Sequence, residues 1–206
     1  MPEVTMVGAL NAALRDALKG DPRTLVFGED VGELGGVFRV TDGLQKDFGR
    51  DRVFNTPIAE AGIAGLAVGL ALAGWRPIAE MQFDAFSYPA LEQIISHVAK
   101  YRERTRGRRS LPIVIRIPSF GGIRGKEHHG ESPETYYVHT AGLKVVTPST
   151  PADAYTLLSR AIADPDPVIV LEPKARYWSK EDARLRADGP GIGSARTLRE
   201  IGRAHV

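Results

Sequence analysis

Phe54-Asn-Thr-Pro-Ile-Ala-Glu-Ala-Gly-Ile-Ala-Gly-Leu-Ala-Val-Gly-Leu-Ala-Leu-Ala-Gly74 carries one charge, Glu60, and none follows until Arg76. Gly, Ala and aliphatic residues run on from Pro57 to Gly74, which reads as a helix over 59–73 with proline at its entry and glycine at its exit. The flanks read differently. Arg52–Phe54 ahead and Pro77–Gln82 behind are short apolar runs of strand length. The stretch is therefore the helix of a strand–helix–strand unit. Glu60, a lone acid where an apolar helix begins, either complements the helix dipole or serves a ligand.

The same alternation extends in both directions. Strands are expected at Thr24–Phe27, Arg52–Phe54, Pro77–Gln82, Ile113–Ile117, Lys144–Thr147 and Val168–Leu171, and helices at Thr5–Lys19, Ala59–Ala73, Tyr88–Arg104, Glu134–His139 and Ala152–Ala163. Thr150 can cap the last of these, and the fixed φ of Pro151 suits its first turn. Apolar strands between helices predict a doubly wound α/β domain, a parallel sheet covered on both faces. No internal repeat interrupts it. After Tyr177 the pattern weakens, and Asp188-Gly-Pro-Gly-Ile-Gly-Ser194 reads as turn-rich. We therefore expect a domain over 1–178, a linker over 179–199 leading toward a C-terminal domain beyond this sequence, and at 200–206 a translated sequencing adapter rather than natural protein.

The composition of the 206 residues, 43% hydrophobic and 25% charged, supports one soluble core. Without cysteine the chain has neither a disulfide framework nor a thiolate metal site, which suits a reducing cytoplasm. The N-terminus lacks the basic region and continuous apolar run of a secretion signal. The apolar segment Ala61–Trp75 is shorter than the ~20 residues a membrane span needs. Net charge is only +2, and the basic cluster Lys100–Arg109 carries no interleaved aromatics to stack bases. It reads as a solvated helix end, so neither nucleic acid nor a membrane is an expected partner.

Chemistry gathers at two further places. Gln82-Phe-Asp-Ala-Phe-Ser-Tyr-Pro89 puts aromatics at the C-terminal end of a strand, the edge where doubly wound sheets bind ligands. Phe83 reads as core and Phe86 as a platform for a planar ring. The loop Phe120–Glu134 holds four glycines and the pair His128-His129. Adjacent side chains diverge in an extended loop, and no third histidine or cysteine stands at ligand spacing, so acid–base work by one histidine is the stronger reading. A surface histidine pair is the alternative. There is no nucleophile elbow and no glycine-rich phosphate loop, so the chain lacks an evident way to bind phosphate alone. The small residues between 61 and 74 suit close contact with a neighbouring helix or another subunit.

Taken in order, Gly28-Glu-Asp-Val-Gly32, Gly36–Leu44, Asn55-Thr-Pro-Ile-Ala-Glu-Ala-Gly62, Met81-Gln-Phe-Asp-Ala-Phe86, His128-His-Gly-Glu-Ser-Pro-Glu134, Gly142–Ser149 and Asp164–Pro173 resemble the β subunit of thiamine diphosphate-dependent 2-oxo acid dehydrogenases, the E1 component. The resemblance covers about the first 178 residues and implies the pyrimidine-binding domain of the transketolase-like fold. It implies that Glu60 hydrogen-bonds the cofactor's aminopyrimidine ring nitrogen and promotes its imino tautomer. It also implies that Phe86, Ile58 and Gln82 line the ring's pocket, and that His129 stands at the substrate and lipoyl entrance. The carbonyls of Ile113, Ala161, Asp164 and Asp166 match the family's potassium site.

The resemblance further implies an E1 α subunit holding the diphosphate and Mg2+, an α2β2 heterotetramer, and acyl transfer to the lipoyl domain of an E2 acyltransferase core in the bacterial cytoplasm. The Glu127-His-His-Gly-Glu-Ser-Pro-Glu134 string and Arg176-Tyr-Trp178 look most like enzymes of branched-chain 2-oxo acids; pyruvate enzymes share nearly all the rest. A non-catalytic partner-binding domain of the same fold is the alternative from another class.

Overall fold

The computed structural model describes residues 3–189 and 191–194. A short strand β1 (Glu3–Thr5) runs into helix α1 (Met6–Gly20), whose first turn is capped by the Thr5 hydroxyl accepting from the Gly8 amide. Six strands, β2 (Thr24–Gly28), β3 (Val53–Asn55), β4 (Arg76–Glu80), β5 (Val114–Ser119), β6 (Lys144–Val146) and β7 (Val168–Pro173), form one parallel sheet in the order β3-β2-β4-β5-β7-β6. The expected doubly wound architecture is present.

Alternate residues supply the two cores. Ile78, Val114, Val168 and Val170 face α1 and α7 (Pro151–Ala163), meeting Leu10, Leu14 and Leu158. Ala79, Ile115, Ile117 and Leu171 face α3 (Glu60–Leu72) and the turn Ile94–Val98. Helix α7 starts as its sequence foretells, with the Thr150 hydroxyl accepting from the Asp153 amide and Pro151 in the first turn. Helix α3 is apolar all round. Ile63, Ala64, Ala67 and Ala71 meet the sheet, while Gly62, Leu66, Gly69 and Leu72 are exposed. No helix among the described residues is long and apolar enough to cross a membrane.

Three features depart from the sequence reading. The helix expected over Tyr88–Arg104 is broken into α4 (Leu91–Gln93), a π-helical turn (Ile94–Val98) and α5 (Tyr101–Arg104). Its widened turn is closed by the Ala99 amide donating to the Ile94 carbonyl, a spacing that apolar periodicity does not distinguish from an α-turn. A short helix α2 (Leu44–Phe48) fills the β2–β3 connection ahead of β3. After α6 (Glu134–Val138), and beyond the expected domain limit, Lys180–Asp182 forms β8 and pairs antiparallel with β1, so the first residues of the presumed linker are tied to the N-terminus. The suspected adapter at 200–206 lies outside the described residues.

One buried cluster crosses the sheet. Glu80 on β4, Arg116 on β5 and Glu172 on β7 are strand neighbours, and the Arg116 side chain is fully buried between the two acids. Its Nε and Nη2 donate to Glu172 at 2.7 and 2.8 Å, its Nη1 donates to Glu80, and the Tyr177 hydroxyl donates to Glu172 at 2.7 Å. Burial pushes the Glu80 carboxyl up against the pull of Arg116. Arg116→Leu, which strands two buried carboxylates, is expected to destabilise the full-length subunit by about 3–5 kcal/mol. Tyr177→Phe, which removes one hydrogen bond to a charged group, is expected to cost about 1.5–3 kcal/mol. Urea denaturation of the two variants beside the parent checks both the order and the size.

Candidate active site

Strand order reverses between β2 and β4. The strand after β2 lies on one side of it, and β4 and all later strands lie on the other. Connections leaving these two strands part in opposite directions, and doubly wound sheets place their ligand crevice at such a point, beyond the C-terminal ends. Glu29 and Asp30 enter it from β2 and Gln82 to Phe86 from β4. Glu60 arrives at the start of α3, and His129 on the loop that follows β5.

Glu60 is the first residue of α3, and Ala59 before it provides no side-chain cap. It is half-buried, and no described side chain hydrogen-bonds or ion-pairs with it. Its charge acts on another acid, Glu29. Glu29, only 4% exposed, has its Oε1 buried without a hydrogen-bond partner. Burial first, then the charges of Glu60 and Asp30, push the Glu29 carboxyl up to about 7. A carboxyl raised to about 7 can hold or release a proton near neutral pH. Glu29 was not singled out from sequence. The available signal was an acid pair, Glu29-Asp30, placed directly after a strand buried along its whole length.

Gln82 spans the crevice, its Nε2 donating to Asp30 at 2.9 Å. Phe83 is core and Phe86 half-exposed, as their spacing predicts. Phe86 rides on a 3₁₀ turn, Ala85–Ser87, capped by the Asp84 carboxylate accepting from the Ala85 amide at 2.9 Å. The His129 ring packs edge-on against both aromatics, with centroids 4.4 Å from Phe83 and 5.2 Å from Phe86. Its Nδ1 lies 2.6 Å from the Glu127 carbonyl. A carbonyl only accepts, so Nδ1 carries the proton, and in the neutral ring Nε2 is left as an acceptor.

Left-handed backbone at Glu127 (φ 46°) and His128 (φ 63°) folds His129 back over the aromatics and leaves His128 exposed. A side chain at Gly125 would meet the His129 Cβ at 2.6 Å. Ile58 is 84% exposed at the same edge, and the exposed Leu34, Val37, Ile123 and Trp178 all lie on loops that leave it.

The carbonyl set stands apart, at the opposite edge, with Ile113 just before β5, Ala161 in the last turn of α7, and Asp164 and Asp166 between α7 and β7. The Lys144 ammonium binds the Asp164 carboxylate at 2.7 and 2.8 Å, and Arg102 binds the Asp166 carboxylate at 2.6 Å. Arg76 donates to the carbonyls of Ile162 and Asp164. No cluster of three metal-ligating side chains exists among the described residues.

Residues 2–179 match the family model described as transketolase, pyrimidine binding domain. The 3-methyl-2-oxobutanoate dehydrogenase subunit beta of Mycobacterium tuberculosis (strain ATCC 25618 / H37Rv) is 60% identical over 196 residues, 95% of this chain and 56% of that protein. The pyruvate dehydrogenase E1 component subunit beta of Leifsonia xyli subsp. xyli (strain CTCB07) is 58% identical over 194 residues, 94% of this chain and 58% of that protein. The chain thus spans little more than half the length of these curated relatives. Among solved structures, a split gene transketolase described as an inactive beta4 tetramer superposes with a TM-score of 0.68 at 21% identity, covering 90% of this chain and 55% of its own. That likeness is one of fold.

The Glu29 carboxyl makes stability depend on pH. A carboxyl raised to about 7 in the fold, from a value near 4.5 when unfolded, contributes stability that is fully present below the unfolded value and lost as pH rises through about 7. Glu29→Gln is expected to flatten the decline between pH 5 and 8, and paired denaturation curves across that range measure it.

Proposed function

The chain belongs to the transketolase pyrimidine-binding domain family, and from that premise we propose that it is the cofactor-activating part of a 2-oxo acid dehydrogenase E1 β subunit acting on branched-chain 2-oxo acids. The observation that carries this reading is Glu60, a carboxylate at the head of a helix without a described side-chain partner, whose charge acts on the buried acid Glu29. A helix-dipole role alone explains neither the second acid nor the aromatics at the same edge.

The residues suit the pyrimidine half of thiamine diphosphate. Glu60 supplies a carboxyl for a ring nitrogen, Phe86 a half-exposed aromatic face, Gln82 an amide held by Asp30, and Ile58 an apolar side chain free for contact. When bound, thiamine diphosphate supplies the electron sink that 2-oxo acid decarboxylation needs. Glu60 holds or releases the proton at that ring nitrogen, with Glu29 keeping a second proton within electrostatic reach. His129, anchored through Nδ1, keeps Nε2 free for a substrate or acyl acceptor at the mouth of the crevice.

An α subunit carrying the diphosphate and Mg2+ completes the site in an α2β2 assembly. The apolar residues on the catalytic-edge loops and the absence of a phosphate loop support this division. A lipoyl domain of an E2 acyltransferase receives the acyl group, and the setting is the bacterial cytoplasm. A potassium ion suits the far edge better than a divalent one. The donors there are neutral carbonyl oxygens, while the carboxylates of Asp164 and Asp166 are already matched by Lys144 and Arg102.

The relative named for 3-methyl-2-oxobutanoate and the Arg176-Tyr-Trp178 signature favour a branched-chain substrate. The pyruvate-named relative, nearly as similar, keeps pyruvate as the second reading. The two substrates differ by methyl groups worth about 1–3 kcal/mol each in an apolar pocket, so the preference is a matter of rate ratio.

The test is 2-oxo acid-dependent dye reduction by the full-length subunit assembled with its α partner, comparing 2-oxoisovalerate with pyruvate. Glu60→Gln is expected to lower the rate by about 100- to 10,000-fold, and normal turnover in that variant sinks the assignment. His129→Ala is expected to leave cofactor binding intact while impairing acyl transfer to the lipoyl domain.

A further inference from the structure

Lys174 opens a 3₁₀ turn, Lys174–Arg176, directly after β7. Its side chain is fully buried, ion-paired with the equally buried Asp84, and its Nζ stands 3.4 Å from the Pro118 carbonyl at the end of β5. Lys174 thus reaches across the top of β5 to the loop that leaves β4. Two parts of the candidate site hang on the ends of this bridge.

At the Asp84 end, one carboxylate oxygen accepts from the Ala85 amide, and the Asp84 carbonyl accepts from the Ser87 amide at 3.1 Å and from the Ser87 hydroxyl. The turn that carries Phe86 is therefore built around Asp84. At the Lys174 end, Ala175 fills the space against Gly122, where a side chain would stand 2.7 Å from the Ala175 Cβ. Gly122 begins the loop that carries His129, and that loop is closed at its base by the Phe120 amide donating to the Glu131 carbonyl. The aromatic shelf and the histidine loop meet where the His129 ring lies on Phe83 and Phe86.

Stability alone does not account for the bridge. Arg116 already ties β4, β5 and β7 together one layer below, and a buried ion pair stabilises no more than well-packed apolar residues of the same volume. Burial also holds the Lys174 ammonium below its ordinary value despite the acid beside it. What the pair supplies beyond packing is direction, because a charged hydrogen bond fixes its partners' orientation where an apolar contact does not.

We propose that Lys174 and Asp84 are positioning residues that set the Phe86 shelf against the His129 imidazole. This rests on the roles assigned above to Phe86 and His129 and extends the site to a pair that touches neither cofactor nor substrate.

The experiment uses the full-length subunit assembled with its α partner. Lys174→Met leaves Asp84 unpaired. The double variant Lys174→Met with Asp84→Leu replaces both charges by apolar groups of similar volume and keeps the fold testable if the single variant fails to assemble. Histidine carbethoxylation is followed by peptide mass spectrometry, with His97 and His139 on other elements as internal controls.

The expected result for the double variant is a melting temperature near the parent's, with His129 alone labelled faster. Acyl transfer to the lipoyl domain falls by about tenfold or more, since a misplacement near 1 Å is enough for such a loss, and dye reduction falls with it because the Phe86 shelf also shapes the cofactor pocket. Unchanged His129 labelling, or a rise shared by His97 and His139, overturns the proposal. Labelling reports the geometry whether or not the enzyme turns over, so a failure of the functional assignment, read from Glu60→Gln, remains separate from a failure of this one.

Discussion

The geometry of the candidate site depends on Arg116. Its guanidinium lies on the central β5 strand, flanked by Glu80 on β4 and Glu172 on β7, with no exposure to solvent. Two acids against one base is an unusual arrangement for a core, and it is tolerable because Arg116 reaches both carboxylates and the Tyr177 hydroxyl completes Glu172. The gain is register. A one-residue slip of β5 would carry the guanidinium to the face lined by Ile115 and Ile117, where no carboxylate waits. The three strands fixed in this way send out Gln82 and Phe86, the His129 loop and Lys174, so the relative heights of these groups follow from that lock.

The edge where the strands end leaves two of its acids without partners. Glu60 has none among the described side chains, and Glu29 keeps a bare oxygen in a buried position. Three acids away from this edge are matched, Asp47 by Arg15, Asp166 by Arg102 and Asp164 by Lys144. Unpaired buried carboxyl groups cost free energy, and proteins retain them where a ligand or a proton transfer uses them. At the C-terminal edge, then, paired acids such as Asp84 stand beside unpaired ones, whereas Asp164 and Asp166 at the other edge are both matched.

Much of the fold was legible because parallel strands buried on both faces read as continuous apolar runs, and all six expected strands appear within a few residues of their predicted limits. The β1–β8 pairing was not, since three-residue strands at opposite ends of the domain leave no periodic trace. Nor was the π turn, whose apolar spacing matches that of an ordinary helix. In the site, Phe83 and Phe86 were separable because a strand end turns one inward and the next outward. His129 was separable from His128 only through resemblance; what distinguishes them physically is left-handed backbone at Glu127 and His128, which no composition announces. Glu29, Lys174 and Asp84 escaped because burial of a charge is set by long-range neighbours, and each of them looks like a surface residue in sequence.

Helix α3 links the site to assembly. Its first residue is Glu60, and the rest of it is apolar on every side, a composition suited to a helix covered all round. The sheet covers only the side with Ile63, Ala64, Ala67 and Ala71, while Gly62, Leu66, Gly69 and Leu72 face outward. Glycines on that outward face allow a second backbone to approach closely and so hold the helix along its length rather than at one point. A helix moves as a rigid rod, so whatever fixes the outer face also fixes the height of the carboxylate at its end. The residues that make α3 a poor solitary surface helix are therefore the ones through which any contact on its outer face would set the position of Glu60 in the crevice.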